Sequence, residues 1–143
     1  YTAEQQAEEM LLAVLLEHPE LALGCQDIVE EVGFVHQARR QIFDCILAHD
    51  GEQTVEVHRL MEILEDEASS VLAGILSKNV PDGDCAKIID DCLRQMKKGF
   101  LEKEYEKHRL LADEYERSGN ERFMDELLES QRINNEIKRL YGS

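Results

Sequence analysis

Apolar residues recur at helical spacing along almost the whole chain, and breakers separate the runs. Met10, Leu11, Val14 and Leu15 stand on one side of a first helix that Thr2 and Gln5 open as a capping box and Pro19 ends. The pattern predicts a second helix over 21–32, closed by Gly33, and a third over 37–49 with Ile42, Cys45 and Ile46 inward, before a turn at Asp50 and Gly51. Thr54 is expected to cap a fourth helix carrying Val57, Leu60, Met61 and Leu64 inward. A fifth, over 68–76, buries Val71, Leu72, Ile75 and Leu76. No alternating stretch is long enough for a sheet, so the fold class is all-α, a compact helical bundle.

After the breaker "NVPDGD" the pattern changes. Residues 84–117 contain no Pro and one Gly, and Ile89, Cys92, Leu93, Met96, Tyr105, His108, Ala112 and Tyr115 continue at helical spacing. At ~1.5 Å per residue such a helix reaches about 50 Å, more than a bundle this small covers. "SGNE" then supplies a stop at Gly119 and a restart capped by Ser118 and Glu121, so the last segment folds back. The expected organisation is a five-helix bundle over 1–83, a long helix over 84–117 with its first half on the bundle, and a C-terminal helical hairpin over 118–143.

The tail "RFMDELLESQRINNEIKRLYGS" carries two apolar groups out of register. At 100° per residue Phe123, Met124, Leu127 and Leu128 lie roughly 125° around from Ile133, Ile137, Leu140 and Tyr141. One face does not take both, which predicts a break or strong bend near Glu129 to Arg132, with one group left for a partner.

Composition narrows the function. Of 143 residues, 33% are charged and 43% hydrophobic, with 2 Pro, which suits a single soluble helical domain; the longest apolar run, "MLLAVLL", is a core helix rather than a membrane span. The chain opens on Tyr1 without a signal pattern and reads as a piece of a larger cytosolic protein. The net charge of −15 is uneven, with 17 acidic against 4 basic residues up to Gly83 and 14 against 12 beyond it. Such an acidic surface repels phosphates, so protein partners are expected and direct nucleic-acid binding is not.

Chemistry is sparse. Cys25, Cys45, Cys85 and Cys92 form no C-x-x-C pair and read as reduced, buried thiols. No phosphate loop, nucleophile elbow or H-E-x-x-H occurs, and no His follows a Glu by three residues. Glu104 and His108 share a helix face, but two ligands do not make a metal site, so neither a catalytic residue nor a metal or other cofactor is expected. Arg94, Lys97 and Lys98 make the one basic group of note, complementing acidic neighbours or receiving an acidic peptide.

"AEEMLLAVLLEHPELA" at 7–22 resembles the opening helix of the C-terminal helicase-binding domain of bacterial DnaG primases. "ARRQIFDCIL" at 38–47 is similar to that family's third helix, and "GNERFMDELLESQRINNEIKRL" at 119–140 to its terminal segment. The resemblance covers nearly the whole chain. It implies a non-catalytic docking module that recruits a primase, a DNA-directed RNA polymerase, to the hexameric DnaB-type helicase in the cytoplasm and modulates that motor. Its helicase contacts fall on Phe123, Met124, Leu127, Leu128, Ile133, Ile137, Leu140 and Tyr141. In the family a basic pocket also receives the acidic tail of single-stranded DNA-binding protein, and Arg94, Lys97 and Lys98 are the residues here that match such a role. Two alternatives stand beside it: the amino-terminal domain of the helicase itself, which has a comparable opening, and a self-associating helical domain.

Overall fold

The computed structural model describes residues 2–48 and 57–142, with Val57 and His58 described by backbone alone. The helices are α1 (Ala3–Glu17), α2 (Gln26–Val32), α3 (Gln37–Ala48), α4 (Val57–Ile63), α5 (Asp66–Leu76), α6 (Cys85–Ser118) and α7 (Phe123–Tyr141), and among the described residues there is no strand. The all-α expectation is met. No helix among these residues is long and apolar enough to cross a membrane. The chain divides into two compact units, Tyr1–Met96 and Lys97–Ser143, and the boundary falls inside α6.

In the first unit α1 forms where the sequence places it. Thr2 Oγ1 accepts a hydrogen bond from Gln5 N at 3.1 Å, satisfying one of the open donors of the first turn. Leu11, Leu12, Val14 and Leu15 are wholly buried, against Ile42, Phe43 and Ile46 of α3 and Leu72 and Ile75 of α5 in one core. Removing these side chains from water supplies most of the drive for this packing, about 1.5–3 kcal/mol for each large one. The second helix is shorter than expected: Pro19–Leu21 and Leu23–Cys25 are 3₁₀ turns, and regular helix begins at Gln26. Gly33, at φ +69°, ends it in the left-handed region that a side chain would strain. Met61 and Leu76, expected inward, are exposed, and Leu60, Leu64 and Ile75 carry the packing of their helices instead. The expected turn at Asp50 and the Thr54 cap lie outside the described residues.

In the second unit α6 ends in a Schellman arrangement. Asn120 N donates to Tyr115 O at 2.8 Å and Gly119 N to Glu116 O at 3.3 Å, with Gly119 at φ +72°. The restart differs from the expected Ser118–Glu121 box. Ser118 Oγ donates back to Tyr115 O at 3.2 Å, and Asn120 Oδ1 accepts from Arg122 N at 2.9 Å, an Asx turn that leads into the next helix, whose N-cap Arg122 makes no side-chain capping bond. The chain then reverses, and Glu126 of α7 meets the His108 ring of α6.

Candidate protein-docking surface

The break expected near Glu129 to Arg132 does not occur. α7 is one helix of 19 residues, Phe123 to Tyr141, so the tail is not itself a hairpin; the hairpin is α7 against the second part of α6. Nothing in this span interrupts a helix, since it holds neither Gly nor Pro. Arg132 ties the questioned segment together from outside, donating to Glu129 at 2.5 Å and to Glu136 at 3.5 Å across one helical turn on either side.

The register conflict is resolved by two polar residues. Phe123, Glu126, Leu127, Ser130, Ile133, Ile137, Leu140 and Tyr141 form one covered or half-covered stripe at spacings of three and four. Ser130 is buried at the centre, where its hydroxyl donates to Leu127 O at 2.7 Å and so needs no outside partner. Glu126 lies in the same stripe and reaches His108, which orients the stripe toward α6. On α6 the facing positions Leu101, Tyr105, His108, Ala112 and Tyr115 follow the same alternation, with Leu101 and Ala112 buried. One neighbour therefore covers most of both apolar groups.

Met124 and Leu128 are left over. They stand at i and i+4 on the outer side of α7, 49% and 57% exposed, and Leu110 of α6 is exposed in the same unit. Of the eight tail residues singled out in the sequence, Ile133 is buried, five are half-covered in the inward stripe, and only these two point away from it. A half-exposed apolar pair one turn apart is the kind of anchor that a groove between two partner helices accepts.

The basic group lies on α6 at spacings that put Arg94, Lys97 and Lys98 on one face. Arg94 is exposed, Lys97 and Lys98 half-buried. Lys98 Nζ stands 4.0 Å from Glu102 Oε1, in keeping with a complementing role along the helix. Among the described residues no group of three or more His, Cys, Asp or Glu side chains is placed to hold a metal. Glu104, His108 and Glu126 do come together, but the carboxylates stand at opposite nitrogens of the ring, so one ion does not reach all three.

One charged cluster escaped the sequence reading. Glu8 of α1, 1% exposed, accepts from Arg39 Nη1 of α3 and from Val35 N, both at 2.8 Å; Arg39 Nη2 also reaches Glu9 at 2.8 Å, and Lys78 stands 3.6 Å from Glu9. Burial raises the Glu8 carboxyl above its ordinary value, outweighing the Val35 and Arg39 hydrogen bonds that pull it down. The signal was present: Glu8 falls within the stripe of Leu11, Leu12 and Leu15, where an isolated carboxylate would be costly and a buried partner is implied. The cluster fastens the turn between α2 and α3 onto α1, and in the same turn the Phe34 ring is tilted at 45° to Phe43, with centroids 5.8 Å apart. It shapes the bundle and offers no open face. Cys25 and Cys92 are buried free thiols, pushed up by burial and by the charges of Asp90 and Asp91 respectively to about 11, while Cys45 and Cys85 are only partly covered. Compared with known proteins, the chain matches no family model, no curated protein and no solved structure.

Proposed function

We propose that this chain is the helicase-docking domain of a bacterial DNA primase, a cytoplasmic and non-catalytic module, and that the outer side of α7 is its contact with the replicative helicase. The observation that carries the reading is the unbroken α7, held to α6 by one stripe and leaving Met124 and Leu128 side by side and half exposed. The order of elements supports it, since a helical bundle, a long helix and a returning tail are what the resembled family combines. The acidic balance supports a protein partner over nucleic acid. On this reading the helicase site contracts from eight tail residues to Met124 and Leu128, with Phe123, Leu127, Ile133, Ile137, Leu140 and Tyr141 building the hairpin that presents them. Arg94, Lys97 and Lys98 remain the candidate receptor for the acidic tail of single-stranded DNA-binding protein.

The test is calorimetry against the isolated amino-terminal domain of a DnaB-type helicase. Wild type binds, and the double substitution Met124→Ser, Leu128→Ser weakens binding at least about tenfold, as expected for removing two anchoring side chains from a contact. A wild-type chain that gives no heat removes the primase reading. A double variant that binds unchanged keeps the partner and moves the site. Self-association is separated by sedimentation of the chain alone, where a mass that rises with concentration marks a tail pairing with its own copy.

A further inference from the structure

The exposed residues of α7 between 124 and 135 form a single stripe. Met124, Asp125, Leu128, Gln131, Arg132 and Asn135 follow one another at spacings of three and four, on the side away from α6. The stripe is symmetric about Leu128. Asp125 and Met124, three and four residues before it, are matched by Gln131 and Arg132, three and four residues after it. An antiparallel helix with the same stripe therefore meets it position for position under a two-fold axis through Leu128, an isologous contact.

The chemistry is complementary in that orientation alone. Across the axis Leu128 packs on Leu128, the methylene stem of Arg132 covers Met124, and the guanidinium of Arg132 stands beside Asp125 with Gln131 next to it. A parallel copy sets Asp125 on Asp125 and Arg132 on Arg132, like charge on like.

We infer that the outer side of α7 pairs antiparallel with α7 of a second copy, centred on Leu128, with Asp125 of each copy against Arg132 of the other.

The net charge of −15 does not oppose this contact. Residues 97–143 hold 11 acidic and 10 basic side chains, so the end that pairs is close to neutral and the acidity lies in residues 1–96. Arg132 is held ready on its own helix: Nε and Nη2 donate to Glu129 and Nη1 to Glu136, which fixes the guanidinium on the outer side and leaves further N–H groups of its five to give. With two apolar side chains from each copy the contact is small, so it exchanges with the monomer instead of locking it away. If the same side of α7 is also the helicase contact, the two occupants exclude each other and the second copy covers Met124 and Leu128 until a helicase displaces it. That competition rests on the docking reading; the pairing does not.

Sedimentation equilibrium of the full chain alone tests the pairing. The weight-average mass of wild type rises from 16.5 kDa toward twice that value between about 10 μM and 1 mM. Asp125→Lys and Arg132→Glu each place like charges across the axis, and each weakens association at least about tenfold. An equimolar mixture of the two variants restores opposite charges on both sides of the axis and recovers association to within about threefold of wild type. Circular dichroism of each variant shows that α7 is kept, and wild type with Asp125→Lys decides the matter if Arg132→Glu unwinds it. The pairing is refuted if the wild-type mass stays at the monomer value throughout, if Asp125→Lys associates as wild type does, or if the mixture of two helical variants stays monomeric. No helicase is present in these runs, so a flat mass removes the pairing and leaves the docking reading to calorimetry.

Discussion

Arg39→Met isolates what a buried charge is worth in this bundle. Arg39 is 6% exposed and holds two carboxylates, Glu8 at 1% exposure and the more accessible Glu9. Met keeps most of the volume of the side chain and none of its donors. Glu9 retains Lys78 and partial access to water, whereas Glu8, in an apolar stripe, keeps the hydrogen bond from Val35 N. Breaking a buried pair from one side costs about 3–5 kcal/mol. For a unit of this size that is a fall in Tm of roughly 12 °C or more. Glu8→Gln, which keeps the oxygen that accepts from Val35, leaves Arg39 short of a charge but still bound to Glu9, and costs less, about 1–3 kcal/mol.

The double variant is the informative one. With Glu8→Gln and Arg39→Met combined no uncompensated charge remains at the two positions, and stability returns to within about 2 kcal/mol of wild type. The coupling between the positions is then at least about 2 kcal/mol. Native-state hydrogen exchange at α1 and α3 amides reads this unit alone, and the Arg39→Met deficit appears there as a loss of protection of about a hundredfold or more. pH supplies an internal check. The Glu8 carboxyl is already raised above its ordinary 4.5, so the folded state holds its proton to higher pH than the unfolded chain does, and this group's contribution to stability falls as pH rises from about 4.5 through the folded value. Without Arg39 that rise grows, so Arg39→Met is more damaging at pH 8 than at pH 5. A deficit below about 1 kcal/mol, or one independent of pH, would refute the account of Glu8 as a buried charge held by Arg39.

Other substitutions probe the second unit and the thiols. Ile133→Ala, at a site 3% exposed, is expected to cost the hairpin about 2–5 kcal/mol, seen as lost protection of 123–141 with α1 and α3 unaffected. Gly119→Ala puts a Cβ where φ is +72° with nothing within 4 Å, so its cost is backbone strain of about 1–2 kcal/mol, measurable in the same peptides. Thr2→Ala removes the bond to Gln5 N and costs about 1 kcal/mol, with fraying of the first turn of α1 visible by NMR. In timed alkylation at pH 8, Cys85 reacts ahead of Cys25 and Cys92, which wait on opening of the fold; early labelling of Cys92 would contradict its raised thiol.

What the sequence disclosed and what it withheld have one physical cause. α1, α3 and α6 are legible because their apolar residues recur at helical spacing, and local signals mark the start of α1 at Thr2, the end of α2 at Gly33 and the end of α6 at Gly119. The start of α2 was not, since 3₁₀ turns and α-helix place apolar residues almost alike over a few positions and Pro19 permits either. Contacts that join distant elements left only indirect marks. Glu8 marked the need for a partner without naming Arg39, and the pairing of Glu104 with His108 gave no hint of Glu126, 18 residues beyond His108.

The tail shows the same limit most sharply, because its apolar residues taken alone imply the wrong shape. Hydrophobic residues alone on α7 describe two stripes, and two stripes imply a break. A helix packed on a single neighbour buries positions, however, and not residue types. Ser130 fills a buried position because its hydroxyl is satisfied within the helix, and Glu126 fills another because His108 answers it. With those two counted in, Phe123 and Leu127 join Ile133, Ile137 and Tyr141 on one straight face. The remainder, Met124 and Leu128, then stands out as apolar surface without a position to fill. Had the helix bent at Glu129, the stripe would have split between two neighbours and each exposed residue would have a reason to be near one. Because it does not bend, both are left half exposed on the outer side of α7, and that side is the one on which the proposed docking depends.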